Sequence, residues 1–233
     1  MKPRLVIPIA VGAAIGISAG VLVARHNSSP PNDDGTGEQI TASSSAADET
    51  ELAALQTRLQ NTLVLPEDFR EVPAFSLVGK DGSAVDETLF DGRWTMTFFG
   101  YTHCPDVCPI TLQVMKEVVA ELQSDEADPM QVAFFTVDPK RDTQERMNEY
   151  VGFFDPSFRG VTGELTNVLD FTRGLGIVAA FTANDDNPEN YLVDHTASML
   201  LIDPQGRVRA KFNPPHEAAT ILADYREIVT ALN

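Results

Sequence analysis

The strongest constraint on how this chain can fold is a short segment in which an apolar run passes through two cysteines into a helical pattern. Trp94–Phe99 (WTMTFF) suits a short buried strand. After Gly100-Tyr101-Thr102-His103 come Cys104-Pro105-Asp106-Val107-Cys108-Pro109, and then Ile110, Val114, Met115, Val118, Val119 and Leu122 recur at helical spacing. Both sulfurs must therefore sit where a buried strand hands over to a helix. Proline has no N–H and a preset φ, so Pro105 and Pro109 cannot both occupy the regular interior of one helix. An irregular turn holding the cysteines ahead of the helix proper is expected.

These are the only 2 cysteines in 233 residues. A secreted disulfide scaffold carries more of them, spread along the chain. Two close cysteines suggest a site instead. On a nearly helical turn, residues four apart share a side, with Cβ atoms about 5–6 Å apart. The sulfurs can then close a disulfide or grip one ion. The helix N-terminus favours the thiolate, the form that binds metal and attacks disulfides. Inert packed thiols are the bland alternative, and the proline-bracketed turn weighs against it.

Two sulfurs seldom saturate a metal, so a third ligand is sought among the 4 histidines. His26 adjoins a candidate membrane segment. His216 follows Asn213-Pro214-Pro215 at a helix start and reads as a surface residue. His103 adjoins Cys104, and neighbours on a turn tend to point apart. His195 remains, in Tyr191-Leu192-Val193-Asp194-His195-Thr196 just before a buried strand. Periodicity leaves it open whether His195 is a ligand or a structural histidine.

The rest of the chain from about Phe69 alternates strands and helices. Ala74–Val78 and Ala84–Asp86 flank Lys80-Asp81-Gly82-Ser83 as a hairpin. Val132–Val137 is a second buried strand. Asp142 with Glu145 reads as a capping box for a helix through about Phe154. Thr162 is a candidate cap for a helix ending near Gly174 or Gly176. Ile177–Thr182 is extended, and the acidic stretch 184–190 leads to Tyr191–Val193. Met199–Ile202 and Val208–Phe212 form a hairpin around Asp203-Pro204-Gln205-Gly206, and a last helix carries Ala218, Leu222, Tyr225, Val229 and Leu232 on one face. This order predicts an α/β domain with a central mixed sheet flanked by helices. With its two-cysteine turn between strand and helix, the expected fold is thioredoxin-like, over residues 67–233.

Leu5 to Ala24 carries no charge, is preceded by Lys2 and Arg4 and followed by Arg25, and roughly matches the bilayer core in length. A cleaved signal peptide is the rival, but its apolar region is shorter and no clean Ala-x-Ala site follows. Residues 1–26 are therefore expected to be an N-terminal transmembrane anchor, with the basic residues holding the N-terminus in the cytoplasm. Without an Arg- and Ser-rich transit peptide, a bacterial cytoplasmic membrane is favoured, with the domain facing the periplasm or cell exterior. Residues 27–66 read as a flexible polar linker that includes a short amphipathic helix through Leu52, Leu55, Leu59 and Leu63, ending before Pro66 and packed on the domain edge. Acidic residues outnumber basic ones 34 to 17, for a net charge of -17. Nucleic acid is excluded as a partner, because phosphate binding needs Lys and Arg.

Three stretches, FFGYTHCPDVCP (98–109), FFTVDPKRDT (134–143) and YLVDHTASMLLIDPQGR (191–207), resemble the Sco/SenC family of copper chaperones, and the likeness covers roughly residues 67–230. The resemblance implies that Cys104, Cys108 and His195 bind copper; Cu(I) is expected, and whether Cu(II) is also carried is left open by the sequence. It implies delivery to the dinuclear copper centre of cytochrome c oxidase during assembly. The oxidase's copper-bearing subunit and other periplasmic copper carriers are then the expected partners. It also implies a thiol–disulfide role for Cys104 and Cys108, as a redox pair that keeps the oxidase's cysteines reduced. Soft thiolates and one imidazole suit Cu(I), whereas Zn²⁺ usually takes four ligands. Ser198 stands where ordinary thioredoxins would carry a cis-proline, which leaves room for a metal. Asp106 is read as capping the turn or tuning the thiolate. Asp138-Pro139 and Asp194 are read as fixing loops, with orientation of His195 by Asp194 as an alternative. A thiol peroxidase is disfavoured, since a peroxidatic site does not require His195.

Overall fold

The computed structural model describes residues 48–124, 130–182 and 191–232. The expected anchor, most of the linker and the acidic stretch 184–190 lie outside these residues. Among the described residues, no helix is long and apolar enough to cross a membrane.

In chain order the elements are a helix over residues 48–56 (α1), β1 (Thr62–Val64), β2 (Leu77–Val78), β3 (Ala84–Val85), β4 (Thr95–Gly100), α2 (Val107–Ser124), β5 (Gln131–Thr136) and α3 (Gln144–Phe154). Then follow β6 (Arg159–Val161), α4 (Leu165–Gly174), β7 (Ala179–Thr182), β8 (Leu192–His195), β9 (Met199–Ile202), β10 (Val208–Phe212) and α5 (Ala218–Leu232). Six strands make one mixed sheet in the order β1-β10-β9-β4-β5-β6. β4, β5 and β6 run parallel, while β9 pairs antiparallel with β4 and with β10. β2–β3 and β7–β8 are separate two-stranded ribbons.

Strand side chains alternate between faces, and paired aromatics show it. Phe98 and Phe134 enter a core with Leu112, Met115, Met147, Ile221 and Ile228, from α2, α3 and α5. Phe99 and Phe135 enter a second core with Phe171 of α4, Leu175 and Val193 of β8. β4 and β5 are buried along their whole length, which is why they read as continuous apolar runs. The β9–β10 turn closes as the sequence suggests. Gly206 takes φ +78°, a conformation costly for any residue with a Cβ, while Asp203 Oδ1 accepts from the N–H groups of Gln205 and Arg207.

Several local expectations need correction. The linker helix does not reach Leu63: α1 ends at residue 56, and Leu63 lies in β1, pointing outward while Thr62 and Val64 point in. β1 pairs with β10, Leu55 is fully buried, and Asp224 of α5 accepts from Gln60 N, Asn61 N and Thr62 Oγ1. The packed body therefore begins upstream of residue 67, because these residues carry both apolar and hydrogen-bonding attachments. Thr143, not Asp142, caps α3 through Arg146 N, because Asp142 is engaged elsewhere. Thr162 caps nothing. It bridges to Val78 and donates to the Asp142 carbonyl, and α4 starts after Glu164. On α5 the buried line is Ile221, Asp224, Tyr225 and Ile228, with Ala218, Leu222, Val229 and Leu232 at its margin.

Candidate metal centre

Strand β4 delivers the chain to the site through Gly100. A Cβ there would lie 2.5 Å from Cys108 Sγ and 2.9 Å from the Phe134 ring, so only glycine lets the sulfur lie against the strand. The turn that follows is pinned from below by buried Asp142. Its carboxylate accepts from Thr102 N (3.0 Å), Thr102 Oγ1 (2.6 Å) and Thr136 Oγ1 (2.7 Å). Burial raises the Asp142 pKa, and these bonds oppose the rise. Cys104 N closes the turn onto the Tyr101 carbonyl at 3.2 Å.

Helix α2 takes up Cys108 in its first turn. Ile110 N donates to the Asp106 carbonyl, so Pro109 falls among the first residues of the helix, whose N–H groups have no intrahelical acceptor. One proline thus lies inside the helix start without breaking it, and only Cys104 and Pro105 belong to the irregular turn. Asp106 sits at the capping position through its backbone, and its exposed side chain reaches outward.

Both cysteines are free thiols, Cys108 fully buried and Cys104 half-buried. They divide one proton unequally. The Cys104 pKa is drawn well down because the Cys108 thiol donates to it, assisted by the His195 ring and the N–H groups of Asp106 and Cys108, while desolvation opposes. The same contact pushes Cys108 up, and its burial adds to this. Of the two, the accessible sulfur is the one whose thiolate is favoured, and the buried one is the one whose thiol is favoured.

His195, at the end of β8, completes the cluster. Its Nε2 is 3.7 Å from Cys108 Sγ, and the two sulfurs and one imidazole nitrogen all lie within 4.8 Å of one another. Its Nδ1 is 3.1 Å from the Thr196 carbonyl. Nδ1 thus faces a carbonyl acceptor and Nε2 faces the sulfurs, the orientation a metal-binding imidazole takes. The Tyr101 ring stands edge-on to the imidazole, at 6.0 Å between centroids and 87° between planes.

The other sequence candidates lie outside this group. His103 is exposed and contacts Thr102 Oγ1 through Nδ1. His216 is half-buried rather than superficial, because its Nε2 holds the Ala197 carbonyl at 2.9 Å. Asp194 reaches Thr182 Oγ1 and does not orient His195. Asp138 does fix a loop: it is buried and receives Tyr191 OH at 2.6 Å as well as Arg141 Nε. Ser198 is buried and donates to Asn213 Oδ1, and the cis peptide is Pro214–Pro215. Sequence reasoning missed Gly100, Tyr101 and the Thr196 carbonyl. The available signal was a glycine at the end of a buried strand, which marks close approach of another group. A cavity of 420 Å³ lined by Arg93, Arg159 and Phe158 includes none of the three donors.

A mixed sheet between helix layers, with paired thiols where the central strand meets its helix, defines a thioredoxin-like domain, here with an imidazole brought to the sulfurs. Residues 65–230 match the family model described as SCO1/SenC, and the chain belongs to that family. An SCO2-like protein of Rickettsia conorii is 36% identical over 138 residues, covering 59% of this chain and 67% of the relative. The solved structure of Arabidopsis thaliana ScoI with copper bound has a TM-score of 0.65 and 29% identity, covering 69% of this chain and 99% of that one. Bradyrhizobium japonicum ScoI, also solved with copper bound, gives 0.61 and 34% over 68% of this chain and 99% of its own.

Proposed function

We propose that this chain is a metallochaperone that holds copper on Cys104, Cys108 and His195 and delivers it to the dinuclear copper centre of cytochrome c oxidase during assembly. The observation that carries this is the convergence of two sulfurs and an imidazole nitrogen within 4.8 Å of one another, with the ring's other nitrogen held against a backbone carbonyl. Two thiolates and one nitrogen form a soft, low-coordinate set suited to Cu(I), whereas structural Zn²⁺ is usually four-coordinate. Membership of the family and the copper-bound structures of its relatives support the choice of metal. The uncharged run Leu5–Ala24 supports a domain tethered outside the cytoplasm, where a copper-bearing oxidase subunit is reachable.

A second reading rests on the unequal thiols. The half-exposed Cys104 thiolate can attack a partner's disulfide to form a mixed disulfide, and Cys108, once deprotonated, can displace the partner's thiol. The partner gains two electrons, and the chain is left with a Cys104–Cys108 disulfide. His195→Ala separates the readings. Its copper content should fall sharply while thiol–disulfide cycling persists, and oxidase assembly should fail. Normal assembly with copper binding lost would refute delivery and favour the reductase.

A further inference from the structure

β8, which brings His195 to the sulfurs, is not part of the six-stranded sheet. Among the described residues, its backbone ladder is with β7 alone. Side chains therefore carry its attachment to the cysteine-bearing body, and Arg141, on the loop between β5 and α3, makes several of these contacts. Arg141 Nη1 donates to the Tyr191 carbonyl at 3.0 Å, immediately ahead of β8. The guanidinium lies over the Tyr191 ring, 3.6 Å from its centroid, and Nε donates to Asp138 Oδ2. Tyr191 OH returns to the other oxygen of that carboxylate at 2.6 Å. The guanidinium also faces the Tyr101 ring at 5.5 Å, and Tyr101 accepts the Val193 N–H and stands against the imidazole. The Asp138 and Arg141 side chains are only 1% and 10% exposed, so the ion pair is shielded from solvent.

We propose that Arg141 is a positioning residue for His195, a role that rests on His195 being a copper ligand. By clamping Tyr191 against Asp138 and Tyr101, it fixes the entry of β8 and so the separation between imidazole and thiols. The work calls for arginine. A planar fork can bond a carbonyl and a carboxylate at once while stacking on an aromatic ring, and a lysine ammonium cannot.

The test is Cu(I) competition against a chelator with the full chain, comparing wild type, Arg141→Gln, His195→Ala and the double variant. Loss of a partner that orients a metal-binding histidine weakens affinity about 10–100-fold. Arg141→Gln should fall in that range on the wild-type background and cause no further loss once His195 is alanine. The Cu(II) form should show nitrogen coupling in its electron paramagnetic resonance spectrum, absent in His195→Ala and altered in Arg141→Gln. Tyr191→Phe removes the bond to Asp138 while keeping the ring under the guanidinium, and a shift of a few-fold in the same direction is expected. It serves, with Arg141→Lys, if the glutamine variant does not fold. An equal loss in both His195 backgrounds would mean that Arg141 supports the fold generally and would overturn the proposal, as would wild-type affinity in Arg141→Gln. Wild-type affinity in His195→Ala would instead remove the ligand assignment, and the proposal with it.

Discussion

Replacing Gly100 by alanine tests the packing of strand against sulfur on which the site depends. The added Cβ would lie 2.5 Å from Cys108 Sγ, with Phe134 ring carbons at 2.9 and 3.1 Å. Ordinary contact begins near 3.4 Å, so the sulfur must retreat by roughly 1 Å or the strand must shift. Cys108 is fully buried and β4 is covered on both faces, so neither movement is free. Overpacking of this kind costs about 1–3 kcal/mol. In a domain of this size, about 2 kcal/mol lowers the melting temperature by about 4–8 °C. Copper affinity should fall at least about tenfold, because a site displaced by more than about 0.5 Å loses its preorganisation. Thermal unfolding of the metal-free chain and chelator competition read the two effects. Gly152→Ala is the control: nothing lies within 4 Å of its added Cβ, and in the helix it should stabilise by about 1 kcal/mol. Wild-type melting and wild-type affinity in Gly100→Ala would refute the argument.

Two further outcomes follow from groups away from the sulfurs. The His216 pKa is lowered by burial, against the bond to Ala197, so the unfolded chain binds more protons below the ordinary histidine value of 6.5 and stability must fall as pH falls through that region. His216→Gln keeps a donor for the Ala197 carbonyl and should flatten this part of the urea-midpoint profile; an unchanged slope would show that His216 is not its source. Asp224→Ala leaves the Gln60 and Asn61 N–H groups and the Thr62 hydroxyl without their acceptor. It should cost about 1–3 kcal/mol in urea unfolding and speed amide exchange at residues 60–62, and unaltered exchange there would count against the docking of this segment by α5.

What the sequence disclosed followed the range of the interactions involved. β4, β5 and β9 were legible as mainly apolar runs packed within a sheet, β10 by the alternation of Val208, Ala210 and Phe212 with Arg209 and Lys211, and the β9–β10 turn because Gly206 has few alternatives at its φ. The cap of α3 was misplaced by one residue because Asp142-Thr143 offers two competent caps in a row. The choice is made by Thr102, 40 residues away, which claims Asp142. β1 was hidden because three residues do not establish an alternation, and its partners lie on β10 and α5, far along the chain.

The candidate metal centre divides along the same line, and the division bears on function. Cys104 and Cys108 share one local turn, so their spacing, prolines and strand exit announced them. His195 is 87 residues from Cys108. Its period-two pattern gave a face of β8 but not what that face meets, and family resemblance had to supply the rest. The thiol pair is built on the local turn, with Gly100 and Asp142 supporting it. Three-ligand binding needs the β7–β8 ribbon held in place as well. A change that loosens the ribbon should therefore cost copper retention before it costs disulfide chemistry, whereas a change in the turn should cost both. On the proposed function, that asymmetry lets one domain separate its two chemistries: the local half forms and breaks disulfides, and the distant imidazole decides whether a metal stays.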